Sequence, residues 1–234
     1  TVADLKVDTQ KGGGFEYKFD KKMLPPLTRV IKNRSIRYTR DECVDLPKLM
    51  RVVRRVRLPN ETRDYYQKVM ASLKESKWDP MELRSAFIAM RQLASGFMVY
   101  KGEGERHEID FNENPKLDVV SELIAAMPQG SKAVIFHEFI RSGEKIGEVL
   151  TRDRIGHERL WSGTKDPGAV RRRFLEDPGC TVLAANSKSG AFGLNLQVAN
   201  YEIFYESPVS PIVRAQAEAR CYRTGQTKTT WIYD

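Results

Sequence analysis

The chain has 234 residues and a formal net charge of +8, and 30% of its residues are charged. This length accommodates one large domain, or a domain with a small satellite, around a substantial core. No apolar run approaches the roughly 18 residues of a membrane-spanning helix and no signal-peptide pattern is present, which excludes a membrane protein and favours an intracellular chain.

The cysteines and histidines are too scattered to build a metal site. They are Cys43, Cys180 and Cys221, and His107, His137 and His157. An odd number of distant cysteines is typical of reduced thiols, and no pair of histidines has the spacing of metal ligands. We therefore predict that this chain binds no metal ion by itself.

The positive charge is concentrated at the beginning of the chain. Residues 1–60 contain 15 lysines and arginines against 7 acidic residues, whereas the remainder contains 24 of each. The basic run at residues 51–57 is consistent with contact to a nucleic acid. It is equally consistent with an amphipathic strand in which Val52, Val53 and Val56 pack while the arginines stay in solvent. The sequence leaves both interpretations open.

The first half of the chain is predicted to be mainly helical. Apolar residues recur at helical spacing in residues 60–75 and 81–98, which predicts two helices. Residues 101–113 are charged and contain glycine, so we expect a loop or hinge there. No periodicity supports any structure in residues 1–22.

From Asn114 onward, helix and strand patterns alternate. Asn114, Asp166 and Ser210 each precede a proline, a combination that predicts a capped helix start. A further helix is expected at residues 143–151. Short strands are predicted at residues 133–136, 157–161, 181–185, 201–205 and 229–233. The pattern predicts an α/β fold with a parallel sheet and helices on both faces, preceded by a mainly helical segment.

Two motifs near the end of the chain carry the candidate chemistry. Residues 187–196 form a small, glycine-bearing loop that leaves a predicted strand. Gln216, Arg220 and Arg223 follow at positions i, i+4 and i+7, which predicts that they share one helical face, with Gly225 ending the helix. Two arginines beside a polar loop suit a dispersed anionic charge, such as that of a phosphoryl group.

The phosphate-binding half of a nucleotide site is absent. No G-x-x-x-x-G-K-[ST] motif occurs, and residues 12–14 lack the lysine and hydroxyl that such a loop requires. Residues 130–132 have the wrong order, and residues 41–44 follow no buried strand. We interpret all three as turns or solvated loops. The sequence therefore contains half of a nucleotide site.

These motifs resemble those of a known family. The chain resembles the C-terminal lobe of a Swi/Snf-type ATPase, a branch of the helicase superfamily that translocates on double-stranded DNA. The resemblance is carried, in chain order, by residues 35–47, by Arg91-Gln92-Leu93, by residues 132–139, by Ser162-Gly163-Thr164, and by the two motifs above. It extends from about residue 35 onward and is strongest over residues 116–228.

The resemblance implies an ATP site between two RecA-like lobes, with ATP and Mg²⁺ held mainly by an N-terminal lobe that lies outside this chain. It assigns catalytic, arginine-finger roles to Arg220 and Arg223. It also assigns nucleotide contacts to Gly193, Asn195 and Gln216. As an alternative, the two arginines are surface charges that pair with Glu218 or Glu206.

The resemblance also implies a sequence-independent grip on the backbone of double-stranded DNA. The residues it assigns to that grip are Ser162, Gly163, Thr164, Ser187 and Lys188. Ser162-Gly163-Thr164 could alternatively be an ordinary turn, and Lys188 a solvated lysine. The run Arg171-Arg172-Arg173 is interpreted as a solvated helix face, with DNA contact as the lesser alternative.

The implied organisation has three parts. Residues 1–46 would be the tail of the first lobe with a basic linker, residues 47–113 a helical inter-lobe segment, and residues 114–234 the second lobe. The chain begins with Thr1 and stops inside a strand-like run, so we expect a fragment, which we take to be monomeric. Because the P-loop and the metal-binding carboxylate are missing, we expect that it does not hydrolyse ATP alone. The compact segment before Asn114 suggests a bacterial, archaeal or phage protein in the cytoplasm or nucleoid, whereas a eukaryotic protein would be nuclear.

The last motif also departs from the family pattern. Ala219 and Tyr222 stand where the family commonly has an acidic residue and a histidine, and Val209-Ser210 replaces a Trp-Asn pair. Two other function classes therefore remain as alternatives. One is a non-catalytic module that binds DNA or a protein partner. The other is an RNA helicase, which ranks lower because the closely packed arginines of its last motif are missing here.

Overall fold

The computed structural model describes residues 22, 24–36, 45–77, 79–102, 104–187 and 195–234. The chain divides into two compact units, Thr1–Asp45 and Leu46–Asp234. In the first unit, helix α1 spans Leu24–Lys32, and its apolar side chains Leu24, Val30 and Ile31 are exposed. All other helices and strands described below belong to the second unit.

The second unit is built on a six-stranded parallel sheet. Its strands are β1 (Leu49–Val52), β4 (Ala133–His137), β5 (His157–Leu160), β6 (Val182–Asn186), β7 (Tyr201–Phe204) and β8 (Thr230–Tyr233). Their order across the sheet is β1-β8-β7-β4-β6-β5. Every pairing in this sheet is parallel, as predicted.

Helices cover both faces of this sheet. They are α4 (Pro115–Ala125), α5 (Ile140–Arg152), α6 (Pro167–Glu176) and α7 (Pro211–Cys221). The two preceding helices, α2 (Asn60–Glu75) and α3 (Pro80–Leu93), pack against each other. Side chains alternate along the central strand β4, so Val134 and Phe136 belong to one core layer and Ala133 and Ile135 to the other. Helices α6 and α7 contribute to the first layer, and α4 and α5 to the second. The predicted fold class is confirmed.

The three predicted helix caps are present. Asn114 Oδ1 accepts a hydrogen bond from the backbone N–H of Leu117 at 3.3 Å, and Asp166 Oδ1 accepts one from Ala169 at 2.9 Å. The Ser210 hydroxyl oxygen accepts one from a backbone N–H at 3.5 Å. In each helix, a proline follows the cap, where no backbone donor is required.

A β-hairpin replaces part of the predicted helix and loop before Asn114. Helix α3 ends at Leu93, not at Met98, and β2 (Phe97–Gly102) pairs antiparallel with β3 (Glu105–Asp110). Gly96 has a φ of +83°, a conformation that ends the helix. Phe97 is then 1% exposed, so burial of its ring stabilises the strand start. The prediction of a loop over residues 101–113 is therefore wrong for the residues of β3.

The basic run near the start of the second unit is partly a strand. Residues 49–52 pair with β8, which places Val52 beside Tyr233 in the register. Val53 lies beyond the strand and is 66% exposed, so the predicted packing of this valine is wrong. The domain boundaries proposed from the sequence, after residues 46 and 113, stay a prediction.

Candidate nucleotide and nucleic-acid site

The turn after β5 presents the first predicted group of site residues. Ser162 and Gly163 are exposed. The Thr164 hydroxyl oxygen accepts a hydrogen bond from the Trp161 backbone N–H at 3.0 Å, which leaves its hydroxyl hydrogen available to another acceptor. A Cβ atom on Gly163 would lie 2.5 Å from the Trp161 ring, so this close approach requires glycine. The turn is polar and open to solvent.

The loop after β6 begins in a buried position. Ser187 is 5% exposed, its backbone N–H donates to His137 O at 2.9 Å, and its hydroxyl lies 3.4 Å from the same carbonyl. Its predicted contact with DNA phosphate is therefore not supported, because both of its donors face the protein interior. Lys188 and Gly193 lie outside the described residues.

A buried polar cluster lies beneath this edge of the sheet. Glu206 is 5% exposed and accepts hydrogen bonds from the Ser142 hydroxyl at 2.5 Å and from the Glu138 backbone N–H at 2.8 Å. Burial lowers the pKa of the neighbouring His137, although Glu206 acts in the opposite direction. From the sequence, Glu206 was expected only as a possible partner for arginines. Its position directly after a buried strand was the available signal of a structural role.

The predicted arginines lie at the end of α7. Gln216 is exposed and Arg220 is half-buried, and both belong to the helix. Burial lowers the pKa of the Arg220 guanidinium. The helix ends at Cys221, so Arg223 lies in the following turn and is exposed. The prediction that all three residues share one helical face is wrong for Arg223.

The early end of α7 coincides with a hydrogen bond to a distant part of the chain. The Tyr222 hydroxyl donates to Pro47 O at 2.8 Å, and the side chain is 9% exposed. The residue has φ and ψ of −89° and 83°, outside the helical region. The Tyr222 side chain therefore turns toward the protein interior at the point where the helix ends. Gly225, with a φ of +96°, turns the chain toward β8 rather than capping α7 directly.

The second candidate loop meets α7 at Arg220. The Leu196 backbone N–H donates to Arg220 O at 3.0 Å. Asn195, which precedes Leu196, is half-buried, and its Oδ1 accepts from the Gln197 backbone N–H at 3.3 Å. The structure therefore brings the predicted nucleotide residues Asn195 and Arg220 together.

The two predicted groups lie toward opposite edges of the sheet. Ser162–Thr164 follow β5 and therefore lie at the carboxyl-terminal edge. The amino-terminal end of the strands is marked by Lys132, which directly precedes β4. Its carbonyl oxygen accepts a hydrogen bond from the Asn200 backbone N–H at 3.1 Å. Leu196 lies only four residues before Asn200, and its backbone N–H contacts Arg220 O. The candidate DNA residues and candidate nucleotide residues are thus separate, and residues 187–196 connect them along the chain.

The carboxylates proposed as alternative partners of the arginines are engaged elsewhere. Glu218 accepts hydrogen bonds from Arg51 at 2.9 and 2.6 Å and from Arg214 at 2.7 Å. Glu206 lies within the buried cluster already described. The hydrogen bonds described here for these two carboxylates come from residues other than Arg220 and Arg223.

A separate cleft of about 790 Å³ lies near the ends of α4 and α5, with Gly130, Arg154 and Gly179 in its lining. None of the predicted site residues that the structure describes lines this cleft. Within the same described ranges, no group of three or more histidine, cysteine, aspartate or glutamate side chains could hold a metal ion. No described helix has both the length and the apolar character needed to cross a membrane.

Comparison with known proteins gives a consistent result. Residues 115–225 match the family model described as the helicase conserved C-terminal domain. Helicase SWR1 of Eremothecium gossypii is 35% identical over 107 residues, which are 45% of this chain and 7% of that protein. Because the chain spans so little of this relative, the whole protein's activity and partners do not transfer directly. This relative comes from a eukaryote and gives the predicted bacterial, archaeal or phage origin no support.

Two solved structures share the fold. The crystal structure of the C-terminal part of the Fun30 ATPase domain has a TM-score of 0.61 at 19% identity, covering 81% of this chain and 85% of that one. The SWI2/SNF2 ATPase core of Sulfolobus solfataricus, solved in complex with dsDNA, has a TM-score of 0.61 at 19% identity. It covers 92% of this chain and 47% of that one.

Proposed function

We propose that this chain, whose residues 115–225 match the helicase conserved C-terminal domain, is the C-terminal lobe of a Snf2-type ATPase and forms half of an ATP-dependent double-stranded DNA translocase. In this proposal, the lobe supplies arginine fingers and DNA-backbone contacts. An N-terminal RecA-like lobe supplies the phosphate-binding loop and most of the contacts to ATP and Mg²⁺. The chain alone binds its partners but does not hydrolyse ATP, and it acts inside the cell as a monomer.

One observation carries this proposal. The hydrogen bond between Leu196 N–H and Arg220 O joins the loop that leaves β6 to the end of α7. The same loop begins at Ser187, beside the edge where the Ser162–Thr164 turn lies. A single short segment therefore connects the proposed DNA side of the lobe with its proposed nucleotide side, an arrangement suited to coupling DNA contact to ATP hydrolysis.

The proposed catalytic groups are Arg220 and Arg223. A guanidinium stabilises the charge that spreads over the transferred γ-phosphoryl group, and such residues contribute about 10³–10⁵ to the rate. Arg223 is exposed and free to enter a cleft formed with another lobe, while the half-buried Arg220 is oriented by its backbone contact to the loop. Gln216, Gly193 and Asn195 complete the nucleotide contacts of this lobe.

The proposed DNA contacts come from the opposite edge. Ser162, Gly163 and Thr164 offer hydroxyl and backbone donors, and Lys188 adds a positive charge, so the contact reads phosphates rather than bases. Ser187 anchors the loop from within. The relative from Sulfolobus solfataricus was solved with dsDNA, which supports the choice of duplex DNA as partner.

DNA-stimulated ATP hydrolysis tests this function. The assay uses the longer protein that contains this chain together with the first lobe, and compares the wild type with Arg223→Ala. We expect a loss of turnover of about 10³-fold or more with ATP binding retained. Arg172→Ala, which removes an exposed arginine of α6, is the matched control and should keep its turnover.

Full activity of Arg223→Ala would refute the arginine-finger assignment and favour a non-catalytic binding module. A second assay uses this chain alone, with labelled duplex DNA of unrelated sequences. Equal affinities that fall with rising salt concentration are expected for a phosphate-backbone contact. Strong preference for one DNA sequence, or for single-stranded RNA, would contradict the translocase proposal.

A further inference from the structure

The side chain of Gln226 is buried where α7, the loop after β6 and the turn before β8 meet. It is 7% exposed. Its Nε2 donates to Gln197 O at 3.0 Å, to Ala199 O at 2.9 Å and to Cys221 O at 3.3 Å. Its Oε1 accepts from the backbone N–H groups of Thr227 and Lys228, both at 3.0 Å. Both N–H hydrogens and both lone pairs of the amide are therefore used.

These contacts join the two segments that bear the proposed nucleotide residues. Gln197 and Ala199 follow Asn195 in the loop, and Cys221 lies between Arg220 and Arg223. The Gln226 backbone N–H also donates to Arg223 O at 3.0 Å. The turn is tight as well, because a Cβ on Gly225 would lie 2.9 Å from the Gln197 side chain.

We propose that Gln226 is a positioning residue that holds Arg220 and Arg223 at a fixed distance from the Asn195 loop. The inference rests on the function proposed above and adds a residue that touches neither nucleotide nor DNA. Through one nitrogen, its amide bonds both the segment after Asn195 and the end of α7. No apolar side chain of similar size can replace these bonds, and a carboxylate in the same place would face three carbonyl oxygens.

The test measures ATP hydrolysis by the longer protein with Gln226→Met, which keeps the side-chain length and removes the hydrogen bonds. A displacement of the arginines lowers kcat by about tenfold to a hundredfold. KM for ATP should stay within about twofold, because an interaction made only in the transition state affects kcat and not ground-state binding. DNA affinity should be unchanged, since the proposed DNA contacts lie at the other edge of the sheet.

A double-mutant cycle separates positioning from general stability. If Gln226 acts through the arginines, then Gln226→Met should cost far less turnover in an Arg223→Ala background than in the wild type. Val120→Ala serves as the stability control, because Val120 is 3% exposed and packs in the core layer on the other face of the sheet. At a temperature where all variants are folded, it should keep its kcat.

The outcomes are distinct. Unchanged kcat in Gln226→Met, or equal losses in both backgrounds, would overturn the positioning role while leaving the arginine fingers intact. If Arg223→Ala itself keeps full turnover, the proposed function is refuted independently of the result for Gln226→Met. If Gln226→Met does not fold, Gln226→Glu is used in the same cycle. Its carboxyl should recover activity relative to the wild type as the pH is lowered, because protonation restores one donor; no recovery would contradict the proposal.

Discussion

Arg51 of strand β1 donates two hydrogen bonds to Glu218 of helix α7, at 2.9 and 2.6 Å. Arg214 donates to the same carboxylate at 2.7 Å, from one helical turn earlier. The edge strand is thereby tied to the helix that ends at the proposed arginine fingers. At Arg51, the first residue of the basic run, the positive charge is used within the protein.

Arg51→Ala should lower the stability of the chain. Glu218 is the more buried partner, with its side chain 14% exposed against 52% for Arg51, and would keep only Arg214. We expect a loss of about 1 kcal/mol in the free energy of unfolding, measured by urea denaturation. Arg54→Ala is the control, because Arg54 and Glu122 are both exposed and 3.5 Å apart. It should change the free energy by less than about 0.5 kcal/mol. Equal effects of the two substitutions would contradict this account.

Glu218 should also make stability depend on pH. Burial raises the pKa of this carboxyl, but hydrogen bonds from Arg51 and Arg214 outweigh burial and lower it overall. The unfolded state then binds the proton more readily, so the stabilisation is present above the ordinary glutamate pKa of about 4.3 and is lost as the pH falls through the lower folded value. Unfolding midpoints measured across this acidic range should fall less steeply in Glu218→Gln than in the wild type. Parallel curves would show that Glu218 is not the titrating group.

Alanine substitutions of Arg220 and Arg223 should differ in their effects on stability and on catalysis. Arg220 is half-buried within α7, whereas Arg223 is exposed in the turn that follows. Arg220→Ala should therefore cost about 1 kcal/mol of folding free energy through lost packing of its stem. Arg223→Ala should stay within about 0.5 kcal/mol of the wild type. Thermal unfolding of the chain and turnover of the longer protein are compared for both variants. A larger stability loss for Arg223→Ala would contradict the exposure on which its proposed role depends.

The sheet could be predicted because its physical signals are local. Strands β4 and β6 are continuous apolar runs, as burial on both faces requires. Three helix starts are indicated by a side-chain hydrogen-bond acceptor followed by proline, at Asn114, Asp166 and Ser210. Each of these signals occupies a few consecutive residues, so one sequence is sufficient to read it.

The hairpin β2–β3 could not be predicted in the same way. Its second strand is charged and mostly exposed, without the apolar alternation of a half-buried strand. Part of its support comes from Arg141 of α5, which forms ion pairs with Glu108 at 2.9 Å and with Asp110. These partners are about thirty positions apart in the sequence, and nothing local indicates that they meet.

The candidate site was predictable in composition but not in geometry. The family resemblance named Arg220, Arg223 and Asn195, but the contact between Leu196 and Arg220 joins residues that are distant in the sequence. The predicted helix extended beyond the observed end of α7, because tyrosine at position 222 is compatible with a helix. Only its hydrogen bond to Pro47, far away in the sequence, accounts for its inward rotation.

Gly143→Ala should destabilise the lobe although alanine favours helices. A Cβ at Gly143 would lie 2.5 Å from the His137 ring, which is 2% exposed and held by Phe139 O at 2.9 Å. The ring cannot move aside easily, so we expect a cost of about 1–3 kcal/mol in unfolding free energy. Gly168→Ala in α6 should be close to neutral, since its nearest non-neighbouring atom, Asp166 Oδ1, is 3.2 Å away.

A double mutant provides a second test of the same prediction. His137→Ala removes the ring, so adding Gly143→Ala to it should cost less than adding Gly143→Ala to the wild type. Urea denaturation of the four proteins gives the coupling free energy. Additive effects would mean that the glycine is required for some reason other than the close approach of this ring.

The Tyr222 hydroxyl should serve stability rather than catalysis. Tyr222→Phe removes the hydrogen bond to Pro47 O and should cost about 1 kcal/mol, leaving kcat of the longer protein unchanged below the unfolding temperature. Tyr222→Ala also removes a buried ring and should cost about 3–5 kcal/mol. Tyr100→Phe is the matched control, because Tyr100 is 42% exposed. A large fall in kcat for Tyr222→Phe, without a matching loss of stability, would instead place this hydroxyl among the groups that act on the nucleotide.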